Sequence, residues 1–248
     1  MFKIKFTISY DGTHYFGWQR QPNKHSVQEE IEKVLSKIFN KEITIHGAGR
    51  TDRGVHAKGQ VASVTLPKKI PLAKLLKSMN SMLPNDILIF DLEEAEADFH
   101  ARFSAKGKIY SYHVYTKQLL NPFKRNTCYH HPYPLDLSLI KQAIKVFIGT
   151  KDFSSFANFL GKSTKAPSPI KTIYSITLEE TNDGFTLTFH GDGFLYKMVR
   201  NLTGALLDIG SKNISISELT TILEKKKNAH GLYQAPAHGL FLETVQYN

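Results

Sequence analysis

The hydrophobic period of this chain switches between two and 3.6 residues in a set order, and that order limits its fold more than any other feature. Phe2, Ile4, Phe6 and Ile8 alternate with Lys3, Lys5, Thr7 and Ser9, the pattern of a half-buried strand. Ser26 and Glu29 then make a capping box, and Val27, Ile31, Val34, Leu35 and Ile38 follow at helical spacing as far as Asn40. Ile43 to Ile45 and Gln60 to Leu66 read as strands, Pro71 to Leu83 as a helix closed by Pro84, and Ile87 to Leu92 as a further strand. The order is βαββαβ, the ferredoxin-like arrangement, in which an antiparallel sheet carries helices on one side and leaves its other face free.

A similar cycle restarts at Lys108. Strand Lys108 to Thr116, helix Leu137 to Ile148, strands Ile170 to Leu178 and Phe185 to Phe189, and helix Phe194 to Ile209 follow, with the Asn182-Asp183-Gly184 turn joining the last two strands. In the last helix Phe194, Leu195, Met198, Val199, Leu202, Leu206 and Ile209 make a broad apolar stripe, and Lys197, Asn201, Gly204 and Asp208 lie opposite, with Arg200 beside them. The expected fold is therefore α+β, with two ferredoxin-like halves forming a mostly antiparallel sheet, helices on one side and a basic cleft between the halves. The halves divide as residues 1–105 and 106–248. Gly161 to Pro169 reads as a basic loop of the second half, and Lys225 to Lys227 as the cationic end of a helix. The longest apolar run, Ile87 to Phe90, is far short of the roughly 20 residues a membrane span needs, and the single cysteine, Cys128, fits a reducing cytoplasm.

Charge points to a partner. The chain has 32 Lys and Arg against 22 Asp and Glu, a net +10. Between Phe99 and Leu135 there is no acid at all, while Arg102, Lys106, Lys108, Lys117, Lys124 and Arg125 supply six cations. Phe99, Phe103, Tyr110, Tyr112, Tyr115, Phe123, Tyr129 and Tyr133 are interleaved with them. Cations for phosphates and rings for bases are what splayed RNA requires, although each aromatic taken singly is more often core. An acid-free run of this length repels itself unless a polyanion answers it, so nucleic acid is the leading partner.

The densest chemistry lies between Gly47 and Ala57. Its three glycines sit between two strands, and the Lys-Ser/Thr of a phosphate-binding loop is missing, so it is not a nucleotide-binding P-loop. It offers one carboxylate, Asp52, flanked by Arg50 and Arg53. Opposite charges favour the ionised form, which suits a nucleophile or electrostatic stabiliser and not a general acid. A turn held by surface arginines is the plain structural alternative. Cys128, His130 and His131 lie close together but lack a second ligand pair at zinc spacing, so no metal is expected, and His56 reads as structural or phosphate-contacting.

Gly49-Arg50-Thr51-Asp52 followed by Gly54-Val55-His56 resembles the signature of the tRNA pseudouridine synthase A family. Family-like segments follow in order: Tyr10-Asp11-Gly12, Gly17-Trp18-Gln19-Arg20, Phe99-His100-Ala101-Arg102-Phe103-Ser104-Ala105, Tyr110-Ser111-Tyr112 and Met198-Val199-Arg200-Asn201. The resemblance implies a cofactor-free isomerisation of uridine to pseudouridine at positions 38 to 40 of the tRNA anticodon stem-loop, by a cytoplasmic homodimer. It implies Asp52 as nucleophile, Tyr110 as the ring that stacks on the base, Arg200 as the partner of the catalytic carboxylate, and Arg50 as the residue that helps displace the base. Arg53, His56, Arg102, Lys108 and Lys197 complete the expected RNA contacts. Periodicity places Tyr110 and Tyr112 on one face and does not choose between them. A non-catalytic RNA-binding module, or a synthase for other uridines, shares the same charge and cleft.

Overall fold

A computed structural model describes residues 2–158, 168–225 and 233–247. The expected loop at Gly161 to Pro169 lies, up to residue 167, outside them, as do Lys226 and Lys227. The chain divides into two compact units, Met1–Lys106 with Phe241–Asn248, and Gly107–Leu240. It is α+β, with a mixed, largely antiparallel sheet in each unit and five α-helices among the described residues. None of those helices is long and apolar enough to cross a membrane.

The first unit runs β1 (Phe2–Tyr10), α1 (Val27–Phe39), β2 (His46–Gly47), β3 (His56–Leu66), α2 (Leu72–Asn80) and β4 (Ile87–Glu94), and it is completed by β10 (Leu240–Gln246). The sheet order is β4-β1-β3-β10, with β2 also on β3. Ile4, Phe6, Ile8 and Tyr10 of β1 alternate inward, and with Val27, Ile31 and Leu35 of α1 and Leu75 and Met79 of α2 they supply this unit's core. β10 is the one parallel partner of β3, with Phe241 opposite His56 and Leu242 opposite Ala57. That pairing puts residues 241–248 in the first unit, which corrects their assignment to the second half.

Two local expectations fail for one reason: backbone groups find nearer partners. Ser26 is the N-cap of α1 but makes no side-chain capping bond. The first amides of the helix instead donate to main-chain carbonyls, Val27 N to Gly17 O at 3.3 Å and Gln28 N to Trp18 O at 3.0 Å. Ile43 to Ile45 forms no strand. Side chains of α1 take its polar groups, with Ile43 N donating to Ser36 Oγ (3.0 Å), Ile45 N to Glu32 Oε1 (3.0 Å), and Gln28 Nε2 to Ile45 O (3.2 Å).

The second unit runs β5 (Gly107–Tyr115), β6 (Tyr129–His130), α3 (Leu137–Phe147), β7 (Gly149–Asp152), β8 (Ile170–Thr181), β9 (Gly184–Gly191), α4 (Met198–Gly210) and α5 (Ile216–Glu224). Its sheet order is β5-β9-β8-β7, antiparallel throughout, with β6 parallel to β5. α3 packs on α4 and α5. Ile140, Ala143 and Phe147 of α3 meet a core shared with Phe156, Leu187, Phe189 and Leu202, in which Phe147 and Phe156 lie edge to face at 5.2 Å.

α4 starts four residues later than expected, at Met198 instead of Phe194, because Lys197 adopts a left-handed conformation (φ 62°) and acts as its N-cap. Its expected outer face is not outer. Asn201 is 9% exposed and is held by Phe156 O (2.8 Å), Asn158 Oδ1 (3.1 Å) and Gln234 Nε2 (2.7 Å). The backbone of residues 233–236 lies along this side, so α4 is enclosed nearly all round.

Candidate active site

In the first unit, β2 leads into the loop that carries Asp52 and β3 leads out of it. Ala48 N donates to Val61 O (2.7 Å) and Gln60 Nε2 to Gly49 O (2.9 Å), which fix the entry. The Thr51 hydroxyl is hydrogen-bonded to the Tyr10 phenol at 2.8 Å, inside the protein. Trp18 N donates to Thr51 O (3.2 Å), Val55 N to Asp52 O (3.1 Å) and Gly54 N to Tyr15 O (3.3 Å). The segments 10–12 and 17–20, distant in sequence, are thus the frame of the Asp52 loop.

Gly17 shows how close that frame is: it sits at φ 89°, and a Cβ there would lie 2.3 Å from Thr51 O. Burial pushes the Tyr10 phenol well above the ordinary tyrosine range, against hydrogen bonds from Thr51 and Gln60 that pull it down. Tyr10 and Gln60, at 3% and 0% exposed, are positioning residues that the sequence reading missed. The available signal was a glutamine beside Val61 and Ala62 in a segment that reads as a strand. Asp52 itself is half-buried at the turn.

Arg50 and Arg53 are both exposed, and their guanidiniums reach the frame. Arg50 Nε donates to Gln19 Oε1 (3.1 Å), and Arg53 lies over the Phe16 ring at 4.4 Å. His56 corrects an expectation. It is 1% exposed, stacks on Phe241 at 4.5 Å, and accepts the Gly12 amide on Nδ1 at 3.0 Å. A phosphate cannot reach it there, so its role is to join β3, β10 and the Tyr10-Asp11-Gly12 turn. Nδ1 also faces Asp11 Oδ1 at 3.1 Å, but only a protonated ring makes that an ion pair, and protonation would forfeit the Gly12 bond. Arg102, exposed in the turn after β4, lies 5.6 Å over the Phe103 ring.

In the second unit, Lys108 and Tyr110 lie on β5 opposite Gly191 and Phe189. Tyr110 is 7% exposed, with its ring edge-on to Phe194 at 5.3 Å. Tyr112 is fully buried, and its hydroxyl donates to Pro236 O at 2.8 Å. Burial first, then Tyr233, raises its phenol well above the usual range, with Arg200 opposing. The Tyr112 hydroxyl thus serves the main chain. Arg200, half-buried in the first turn of α4, donates from Nε to Ala235 O (2.8 Å), and its own carbonyl accepts from Ala235 N (3.2 Å). Lys197, half-buried, sits 5.3 Å over the Tyr196 ring.

Of the eight aromatics of the acid-free segment, Phe99 and Tyr129 are half-buried and the other six divide. Tyr110, Tyr112 and Tyr115 are core residues, while Phe103, Phe123 and Tyr133 are 75%, 90% and 71% exposed. Lys124 is paired with Asp183, which removes one of the six cations from outside use.

The comparisons with known proteins place the chain in an enzyme class that modifies RNA. The family model described as "tRNA pseudouridine synthase" matches residues 7–104 and 143–248. The chain is 42% identical over 244 residues to tRNA pseudouridine synthase A 1 of Protochlamydia amoebophila, covering 98% of this chain and 95% of that one. It is 42% identical over 258 residues to tRNA pseudouridine synthase A of Thermodesulfovibrio yellowstonii, covering 100% of both. Among solved structures, the archaeal box H/ACA sRNP Nop10-Cbf5 complex aligns with a TM-score of 0.37 at 13% identity, over 82% of this chain and 43% of that one. The chain belongs to the tRNA pseudouridine synthase family, whose activity is an isomerisation.

Proposed function

We propose that this chain isomerises uridine to pseudouridine at positions 38 to 40 of the tRNA anticodon stem-loop, with Asp52 as nucleophile. The N-glycosidic bond is cut, the uracil is turned, and it is rejoined to the sugar through carbon. Every atom of the product comes from the substrate, so the reaction needs no redox partner or group donor. A base within a paired stem must first leave its stack, at a cost of about a few kcal/mol, and Arg50 helps displace it. Tyr110 stacks on the base and assists removal of its C5 proton, and Arg200 supports the carboxylate. Arg53, Arg102, Lys108 and Lys197 meet the RNA. The enzyme acts as a cytoplasmic homodimer.

The observation that carries this reading is the Asp52 loop: the one carboxylate between Gly47 and Ala57 stands half-buried while its neighbour Thr51 is tied down. Asp52→Asn keeps the shape and removes the charge. Single-turnover release of the C5 hydrogen from labelled tRNA should vanish in this variant while tRNA binding persists. An unchanged rate would overturn the role of Asp52. Wild type that binds tRNA tightly and forms no pseudouridine would be a binding module.

A further inference from the structure

The turn after β4 carries a row of planar groups of which the reaction as described uses only Arg102, as a contact to the RNA. His46, in β2, stacks on His100 at 5.1 Å with planes 29° apart. His100 lies 4.4 Å from Phe103, and the Arg102 guanidinium sits 5.6 Å from the same Phe103 ring. A lone exposed phenylalanine is ordinary on a protein surface. A continuous row of three rings and a guanidinium, ending in a phenylalanine that is 75% exposed, gains little from packing inside the chain.

The turn beneath this row is firmly built. Ala101 is fully buried, its amide donates to Ser63 Oγ (3.2 Å), and its carbonyl accepts from the Tyr247 hydroxyl (2.8 Å). Ser104 N donates to His100 O (2.9 Å), and Ser104 Oγ accepts from His100 N (3.1 Å). The Arg102 amide donates to His100 Nδ1 (3.1 Å), which sets the tautomer and the plane of that ring. Burial, with the neighbouring His46, Lys3 and Arg102, holds His100 below the usual histidine range, so the ring is a neutral plane in cationic surroundings. The acid-free run begins at Phe99, so no carboxylate follows this row in sequence before Asp136.

We propose that Arg102, Phe103, His100 and His46 form a stacking site for an unpaired nucleotide of the tRNA substrate, with a base on Phe103 and a phosphate on Arg102. The proposal rests on the tRNA reading above. A flat ring accepts any base face, and a guanidinium beside it supplies the phosphate contact, which is how single-stranded segments are held without a paired groove. The site adds affinity and takes no part in bond making, so its loss belongs in KM and not in kcat.

The test uses the full chain with Phe103→Ala, Phe103→Tyr, and Phe103 replaced by p-benzoylphenylalanine. Because the side chain is mostly exposed, thermal denaturation should show all three folded as wild type. Phe103→Ala should raise KM for tRNA about tenfold with kcat little changed, and Phe103→Tyr should restore KM. Irradiation of the photoreactive variant should join it to an unpaired nucleotide, mapped by primer extension. An unchanged KM in Phe103→Ala, equal losses in the alanine and tyrosine variants, or crosslinking to a paired stem or a second protein chain would each overturn the proposal. Wild type that makes no pseudouridine, with the photoreactive variant still crosslinking at an unpaired nucleotide, would defeat the assigned reaction and leave this site standing.

Discussion

Thr51 sits one residue before Asp52, and its hydroxyl shares a hydrogen bond with the phenol of Tyr10, 41 residues away in sequence. With Thr51 only 7% exposed, that bond has no water to replace it. Tyr10→Phe keeps the ring packed near Trp18, at 6.2 Å, and removes one hydroxyl. A buried partner left unsatisfied costs about 1–3 kcal/mol, which the loop can relieve only by moving. Tyr10→Phe should therefore lower the single-turnover rate about tenfold, equivalent to roughly 1.4 kcal/mol, while tRNA affinity stays as in wild type. Thr51→Val should lower the rate in the same direction, and the two together should cost less than the sum of the two, since both remove the Tyr10–Thr51 bond while only Tyr10→Phe also removes the bond to Gln60. A fall in affinity with an unchanged rate would show that Tyr10 supports binding and not the placement of Asp52.

α4 offers a test in which the usual sign reverses. Gly→Ala inside a helix ordinarily stabilises by about 0.5–1 kcal/mol. At Gly204, however, a Cβ would stand 1.6 Å from Tyr233 O and 2.6 Å from its carbonyl carbon, which are backbone atoms with no rotamer to change. Overpacking of this kind costs about 1–3 kcal/mol, so Gly204→Ala should lower Tm by several degrees instead of raising it. A raised Tm would mean that residues 233–236 do not hold their place against α4. The same helix shows where sequence periodicity stops. It named the inward stripe Met198, Val199, Leu202 and Leu206 rightly, because burial repeats every 3.6 residues. It put Asn201 and Gly204 outside because a covering segment more than 30 residues later leaves no mark on the helix. Ile43 to Ile45 was misread for the complementary reason: its residues suit a strand, but Ser36, Glu32 and Gln28 of α1 answer its backbone. The βαββαβ order needed only local patterns and was legible. The Asp52 loop was legible through its glycines and its resemblance to a family, whereas the partners of Tyr10 and Gln60 lie far off in sequence, so a polar residue in a strand marked a position without naming its contact.

At the scale of the molecule, titration and salt report two separate properties. Burial raises the phenols of Tyr10, Tyr15, Tyr112, Tyr233 and Tyr247 above the ordinary tyrosine range. Unfolded tyrosines ionise near pH 10, where the folded chain still keeps these protons. The unfolded state then binds fewer protons than the folded one, so stability falls as pH rises through about 10. The urea midpoint should be lower at pH 11 than at pH 9, and an unchanged midpoint would contradict the burial of these rings. Salt addresses the net charge of +10. Of the six cations between Phe99 and Leu135, Lys124 is answered by Asp183, leaving Arg102, Lys106, Lys108, Lys117 and Arg125 as candidates for phosphates. Each phosphate neutralised releases counterions and adds about 0.7 to 0.9 to the slope of log affinity against log salt. Five contacts predict a slope of about −3.5 to −4.5, measured by titrating tRNA at several salt concentrations. Replacing the exposed Lys117 and Arg125 with glutamine should flatten it by about 1.4 to 1.8 units and weaken binding to different tRNAs alike, because phosphates carry no base identity. A flat response in wild type would mean that the acid-free segment does not face the RNA, and a loss confined to one tRNA would mean that these two cations read bases instead of the backbone.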